Sequence, residues 1–365
     1  MPHSKGTVTR IIIFSTNMSY LKARRRSKAT TTLKDYHKST TIMIKRLLIL
    51  SLLLSSLSCV SVQQIQTTSF KNKRVLFFGD SITQNGLYVS LIEYALKKAN
   101  PEVDYDIISI GLSSETVSCL SEEDHPFPRP CLKDRIDRAL KEVQPDIIVA
   151  NYGMNDGIYH PPSEERFAAY KKGIKSLIEK VKKIDKQLII LTPTPFEKEM
   201  KKGKLQDKQA ADYSYKIPYI DYDEVLQQYG KWLYTLATSN IQIIDLHKAI
   251  HQEKRSQEGK YFTNDGIHPN EAGHLIMANT FLNGIGHTSA LSNNWATYEK
   301  DPLFQQIHQK RKDRSKRWLN YVGYTRGKTV RSISPKTLLI LMAGQSNGGF
   351  WKDRRFRGNR LTRKY

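Results

Sequence analysis

The chain is poor in the residues that staple or metallate small folds. It has three cysteines in 365 residues, and no Cys/His spacing in it suggests a metal site. Its most continuous apolar run near the start, Leu47–Leu54, is too short to cross a bilayer. No internal repeat is found, which sets aside solenoids and propellers. The serine in "RVLFFGDSITQNG" (74–86) lacks the Gly-x-Ser-x-Gly surroundings of a nucleophile elbow. The body of the chain also lacks a charge excess. The net charge of +23 suggests a polyanion partner, but residues 1–46 carry 11 Lys and Arg against one acid, and 301–365 carry 17 against three. Residues 47–300 are left with 30 basic and 31 acidic side chains. The basic runs "RRRSK" (24–28) and "KDRRFRGNRLTRKY" (352–365) could touch nucleic acid or anionic lipid. Neither has the apolar content of a folded reader, so no specific nucleic-acid partner is expected.

What is present begins with an export pattern. In "MIKRLLILSLLLSSLSC" (43–59), Lys45 and Arg46 make a positive n-region, Leu47–Leu54 an apolar h-region, and small serines precede Cys59. The end resembles the lipobox of a bacterial lipoprotein, with Ser56 where an aliphatic residue is usual. Lipid attachment at Cys59 is the expectation, with simple cleavage nearby as the alternative, and the protein is expected in the periplasm or cell envelope. Residues 1–42 then read as a basic extension from a misassigned start. Cys119 and Cys131 flank "CLSEEDHPFPRPC". In an oxidising envelope they could pair and pin that loop, and two separate thiols fit the spacing equally well.

From residue 74 short apolar strands alternate with amphipathic helices. Strands are predicted at 75–78, 105–111, 145–153, 187–195 and 241–246, and helices at 87–99, 132–143, 163–184, 223–238 and 269–285. This order implies a parallel sheet covered on both faces, with chemistry at the carboxyl ends of its strands. Four such ends carry polar groups. Ser81 follows the first, and it is good turn chemistry or, given a base, a nucleophile. Gly111 closes the second, a turn glycine or a backbone N–H able to approach a reacting oxygen. Asn155 in "YGMND" follows the third, a turn residue or an oxyanion donor. In "NDGIHPNEAGH", Asp265 precedes His268 by three. That spacing lets the carboxylate accept from Nδ1–H and turn Nε2 toward a serine, although an exposed loop histidine before a helix reads the same way. His274 belongs on the closing helix and is expected to pack there. Together the four points supply the roles acyl transfer requires.

The four blocks in this order, "GDSIT", Gly111, "GMND" and "DGIH", resemble the SGNH hydrolases, also called GDSL esterases and lipases, over residues 72–287. Ile82 stands where the name motif has Leu, and "GLSSETVS" lacks the Asn sometimes found near the Gly block. The resemblance implies a three-layer α/β/α sandwich with a five-stranded parallel sheet, the flavodoxin-like SGNH hydrolase fold. It implies Ser81 as nucleophile, His268 as base and Asp265 as its orienter. Ser81 N–H, Gly111 N–H and the Asn155 side chain would form the oxyanion hole, and no cofactor is implied. A non-catalytic binding module on the same fold would need Ser81, His268 or Asp265 missing, and none is.

The family acts on several ester classes. The export pattern, a Tyr-rich insertion expected to form a rim ("YSYKIPYIDYDE", 213–224) and the polar "EEDHPFPRP" (122–130) favour an acetylated carbohydrate substrate and a monomeric O-acetylesterase. A lipolytic esterase, lysophospholipase or thioesterase is the alternative. Beyond 287 lies a basic tail (288–336) whose aromatic residues could pack back as helices. Then "TLLILMAGQSNGGFW" (337–351) resembles the Ser block of sialate O-acetylesterase-like, carbohydrate esterase family 6 enzymes. Nineteen residues follow Ser346 and none is His. The expectation for 337–365 is a truncated second esterase domain, with Ser346 inactive.

Overall fold

A computed structural model describes residues 67–322 apart from 289. The export-like segment with Cys59, the stretch beyond 322 and the Ser346 motif lie outside the described residues. The described part falls within one compact unit, Ile65–Tyr365. No helix in it is long and apolar enough to cross a membrane.

Five strands form one parallel sheet: β1 (Arg74–Gly79), β2 (Asp106–Ser109), β3 (Ile147–Asn151), β4 (Gln187–Leu191) and β5 (Ile241–Ile244). The spatial order is β2-β1-β3-β4-β5. Order reverses beside β1, so the crevice outside the carboxyl ends of β1 and β3 is the topological switch point where such sheets bind ligands. The helices are α1 (Ser81–Asn85), α2 (Leu87–Ala99), α3 (Ile136–Val143), α4 (Glu164–Lys183), α5 (Asp223–Tyr234), α6 (Leu246–Ser256), α7 (Glu271–Gly284), α8 (Ala296–Glu299) and α9 (Pro302–Tyr321).

Strand β1 shows why its sequence is apolar throughout. Successive side chains point to opposite faces, and both faces are covered. Val75 and Phe77 belong to a core with α2, α6 and α7 that includes Val89, Ile92, Ile250 and Phe281. Leu76 and Phe78 belong to a second core with α3, α4 and α5 that includes Ile136, Ile174 and Leu226. The layers are therefore α/β/α, with all five strands parallel. Ser163 caps α4 by accepting from Arg166 N.

Strands β2 to β5 are shorter than in the sequence reading, and α1 and α6 lie outside it. The fifth strand ends at Ile244, because the Asp245 side chain accepts from Lys248 N and starts α6. Only Leu246, His247 and Ile250 of α6 are buried, too sparse an apolar stripe to announce a helix. In the basic tail, α9 runs along edge strand β2, with Arg314 paired to Asp106. Its Phe304 and Ile307 enter one core and its Trp318 and Leu319 the other. The tail thus covers a sheet edge that would otherwise invite pairing with another chain.

Candidate active site

The first polar side chains past β1 are set by α1. Asp80 is its N-cap and accepts from Ile82 N at 2.9 Å, which fixes Ser81 as the first helical residue. No side chain would fit at Gly79 or Gly111. A Cβ on Gly111 would lie 2.2 Å from Gln84 N and 2.4 Å from Thr83 C. Ile110 N and Leu112 N donate to Phe77 O and Gly79 O of β1. The turn of α1 at Thr83 and Gln84 thus packs directly on Gly111, just past β2.

A buried side chain from the tail supports the far end of α1. Arg311 donates to Asn85 O at 2.6 Å, to Gln84 O at 3.4 Å and to Ser90 Oγ at 3.0 Å. A cation on the last carbonyls of a helix complements its dipole. Burial lowers the Arg311 guanidinium to about 10, within the range where it stays charged at neutral pH.

His268 comes from the other end of the sheet. Its Nε2 lies 2.9 Å from Ser81 Oγ, and its Nδ1 lies 2.8 Å from Asp265 Oδ2. The second Asp265 oxygen accepts from Ile267 N and His268 N. Burial by itself would raise the Asp265 carboxyl, but the bonds from His268 and Ile267 outweigh it and hold the group well below the usual carboxylate range. Burial also opposes charge on His268. The carboxylate of Asp265, helped by that of Asp80, overrides this and raises the imidazole above its ordinary 6.5.

The loop holding this pair is shaped by Glu197, which follows β4. Its buried Oε2 accepts from Phe262 N, Thr263 N and Thr263 Oγ1. Glu197 N donates to Gly266 O. Gly266 has φ +84°, and a Cβ there would meet Glu197 O at 2.7 Å, so this turn requires glycine.

Asn155 completes the cluster. Its Nδ2 has two acceptors, Asp80 Oδ2 and Glu115 O, both at 3.4 Å. These are long for N–H···O bonds, so the amide can turn to a better acceptor. Its Oδ1 accepts from Tyr159 OH at 3.0 Å, which fixes which end of the amide faces the site. Ile158 and Tyr159 have φ of +44° and +62°. Two left-handed residues in succession, one β-branched, are costly, on the order of 1–3 kcal/mol each. They turn the chain back so that Tyr159 reaches Asn155.

Two buried acids lie in the same region. Burial lifts Asp80 to about 7, against the lowering effects of the Ile82 N–H and His268. Burial likewise lifts Asp156 to about 6, although Val117 N and Ser118 N bond its Oδ1.

All five residues predicted from the four blocks, Ser81, Gly111, Asn155, Asp265 and His268, lie at or just beyond the carboxyl edge of the sheet. Ser81, His268 and Asp265 form one hydrogen-bonded chain. His274 is apart from it, buried in α7 and stacked on Tyr88. Cys119 and Cys131 are disulfide-bonded, closing the 120–130 loop. Glu197, Tyr159 and Arg311 were not legible in the sequence. Each acts on residues near the site from a distant part of the chain or outside any motif.

The Tyr-rich insertion differs from the expected rim. Tyr213, Tyr219 and Tyr222 are buried, and Tyr222 OH donates to Met154 O and accepts from Gly157 N. Tyr215 alone of the four is partly exposed, with its ring against His125, which in turn meets Phe127 edge to face. Both insertions are tied together where Ser214 Oγ donates to Asp124 and Tyr215 N to Glu122.

A profile of the GDSL-like Lipase/Acylhydrolase family matches residues 77–276. An acetylxylan esterase from Geobacillus stearothermophilus is 25% identical over 236 residues, 59% of this chain and 94% of the relative. A solved catalytic mutant of an acetylxylan esterase from the same organism has 23% identity and a TM-score of 0.47, covering 61% of this chain and 99% of its own. An α/β hydrolase from the metagenome of Lake Arreo, Spain, has 21% identity and a TM-score of 0.44, covering 61% and 99%.

Proposed function

The chain belongs to the GDSL-like lipase/acylhydrolase family and is a carboxylic ester hydrolase, and from that premise we propose that it removes acetyl groups from carbohydrate through Ser81, His268 and Asp265. The observation that carries this reading is the hydrogen-bonded chain from Ser81 Oγ through His268 to Asp265. Asp265 holds the Nδ1–H tautomer, so Nε2 can take the Ser81 proton as Oγ attacks the acetyl carbonyl. The oxygen that becomes negative is met by Ser81 N–H, Gly111 N–H and the Asn155 amide. Collapse breaks the ester C–O bond, and His268 returns the proton to the departing sugar hydroxyl. A water that gives its proton to His268 then attacks the acetyl-Ser81 carbonyl. Acetate leaves and the proton returns to Ser81 Oγ.

Sugar as the leaving group is supported by the acetylxylan esterase relative, 94% of whose length the alignment covers. Half-exposed His125, Phe127 and Tyr215 offer ring faces and edges of the kind that stack on sugar. They stand on insertions linked to Asn155 through Arg129, whose guanidinium lies 5.6 Å from the centre of the Tyr159 ring. The same reading places the enzyme in the cell envelope, with 43–59 as export signal and Cys59 as the lipid-bearing residue. Radiolabelled palmitate incorporation, lost in Cys59→Ala, tests that part.

Acetate release from acetylated xylan by wild type and Ser81→Ala, beside fatty-acid release from a long-chain lysophospholipid, tests the substrate. Acetate from wild type alone is expected. Fatty-acid release without acetate would overturn the carbohydrate assignment and favour the lipolytic alternative. Equal acetate release from both proteins would discard the site.

A further inference from the structure

Away from Ser81, two imidazoles and a carboxylate from different helices converge. His247 and His251 lie four residues apart, on one face of α6, and Asp223 is the first residue of α5. His247 Nε2 is 3.0 Å from Asp223 Oδ1, and His251 Nε2 is 2.9 Å from Asp223 Oδ2. The three sets of donor atoms all fall within 4.8 Å of one another. We propose that Asp223, His247 and His251 form a binding site for a divalent transition metal of the Zn2+ class.

The donor set fits that class. Two imidazole nitrogens and one carboxylate oxygen are a common three-ligand zinc set, leaving a fourth position for water. Metal–ligand distances of about 2.0–2.1 Å put tetrahedral donors about 3.3 Å apart. The imidazoles bond different oxygens of Asp223, and one donor atom from each residue lies within 4.8 Å of the other two, so the farthest pair needs to close by at most about 1.5 Å around an ion. Both rings already present Nε2, the atom that would coordinate. The site is also reachable. The His251 and Asp223 side chains are 30% and 21% exposed, while His247 is buried at 9%. Asp223 Oδ1 additionally accepts from Phe196 N at 2.8 Å, which orients the carboxylate.

The position gives the ion a structural role. It would pin α6 and α5 to the segment at Phe196, and the next residue, Glu197, holds the loop of Asp265 and His268. Among the described residues neither His247 nor His251 is hydrogen-bonded to Ser81, His268 or Asp265, so the site is separate from the proposed hydrolytic cluster. The spacing His-x-x-x-His showed nothing of this in the sequence, because its third donor lies 24 residues before His247.

The test is isothermal titration calorimetry of chelator-treated, untagged protein with ZnCl2, with thermal melting of the same samples. Wild type is expected to bind one equivalent and to melt higher with zinc. His251→Ala, a half-exposed position whose loss leaves the cores intact, is expected to bind at least tenfold more weakly and to lose the zinc-dependent rise. Asp223→Asn, if folded by circular dichroism, should behave likewise. No saturable binding by wild type would overturn the proposal, and so would one-equivalent binding unchanged in His251→Ala.

Discussion

Replacing Asp265 by Asn isolates what this carboxylate does. In the wild type one oxygen accepts from two backbone N–H groups and the other from His268 Nδ1–H. Asn can keep the two backbone bonds through its carbonyl, so the loop holds its shape. Its NH2 then faces Nδ1, which must become the acceptor. The proton moves to Nε2, and the atom 2.9 Å from Ser81 Oγ becomes a donor and ceases to be a base. A loss in kcat of about 10³–10⁴-fold is expected, 4–5.5 kcal/mol at roughly 1.4 kcal/mol per decade. KM should change little, because the lost interaction belongs to the transition state. The Asp265 and His268 side chains are nearly half exposed, 45% and 44%. Their charge pair therefore adds little to stability, about 1 kcal/mol at most, and the melting temperature should stay close to wild type.

The pH profile gives a second reading of the same variant. In the proposed mechanism hydrolysis needs neutral His268, so activity is expected above its pKa and lost below it. Asp265 raises that pKa above 6.5, which places the acid limb of kcat/KM above that value. Without the carboxylate, burial is left opposing protonation with only Asp80 against it, and the limb should move to lower pH. Stopped assays with p-nitrophenyl acetate across the acid range measure both effects. Residual kcat within tenfold of wild type, or an acid limb that does not move, would refute the reasoning.

Three further substitutions probe the supports of the site. Gly111→Ala places a Cβ against Gln84 N and Thr83 C. It should cost about 1–3 kcal/mol in denaturant melts and more than tenfold in kcat, since the clash displaces α1. Tyr159→Phe removes the hydroxyl that holds Asn155 Oδ1. About tenfold lower kcat with unchanged KM is expected, and an unaltered kcat would show that Asn155 needs no such anchor. Arg311→Met leaves Asn85 O, Gln84 O and Ser90 Oγ without their cation. The loss should be about 2 kcal/mol, read by calorimetry as roughly 4–8 °C in Tm.

The sheet was legible because its strands are buried on both faces. Leu76 and Val75 alike must be apolar, and such runs stand out between amphipathic helices. Ser81, Asn155, Asp265 and His268 were legible because each follows a strand or leads into α7 within a short local pattern. What escaped acts across the chain. Glu197 shapes a loop 66 residues away, and Arg311 reaches Asn85 across 226. No local periodicity encodes such contacts. The tyrosines of 213–222 misled for a different reason. A tyrosine can lie on the surface or be buried with its hydroxyl bonded, and composition does not distinguish the two. Tyr222, fully buried with its OH on Met154 O, shows the second outcome.

The central claim is that the Ser81 hydroxyl, activated by His268, attacks the ester. It is tested most directly by incubating the protein with a fluorophosphonate, digesting it, and locating the adduct by mass spectrometry. One adduct on the peptide holding Ser81 is predicted, absent in Ser81→Ala and much slower to form in His268→Ala. Labelling of another residue, or none in wild type under conditions where it cleaves esters, would contradict the account.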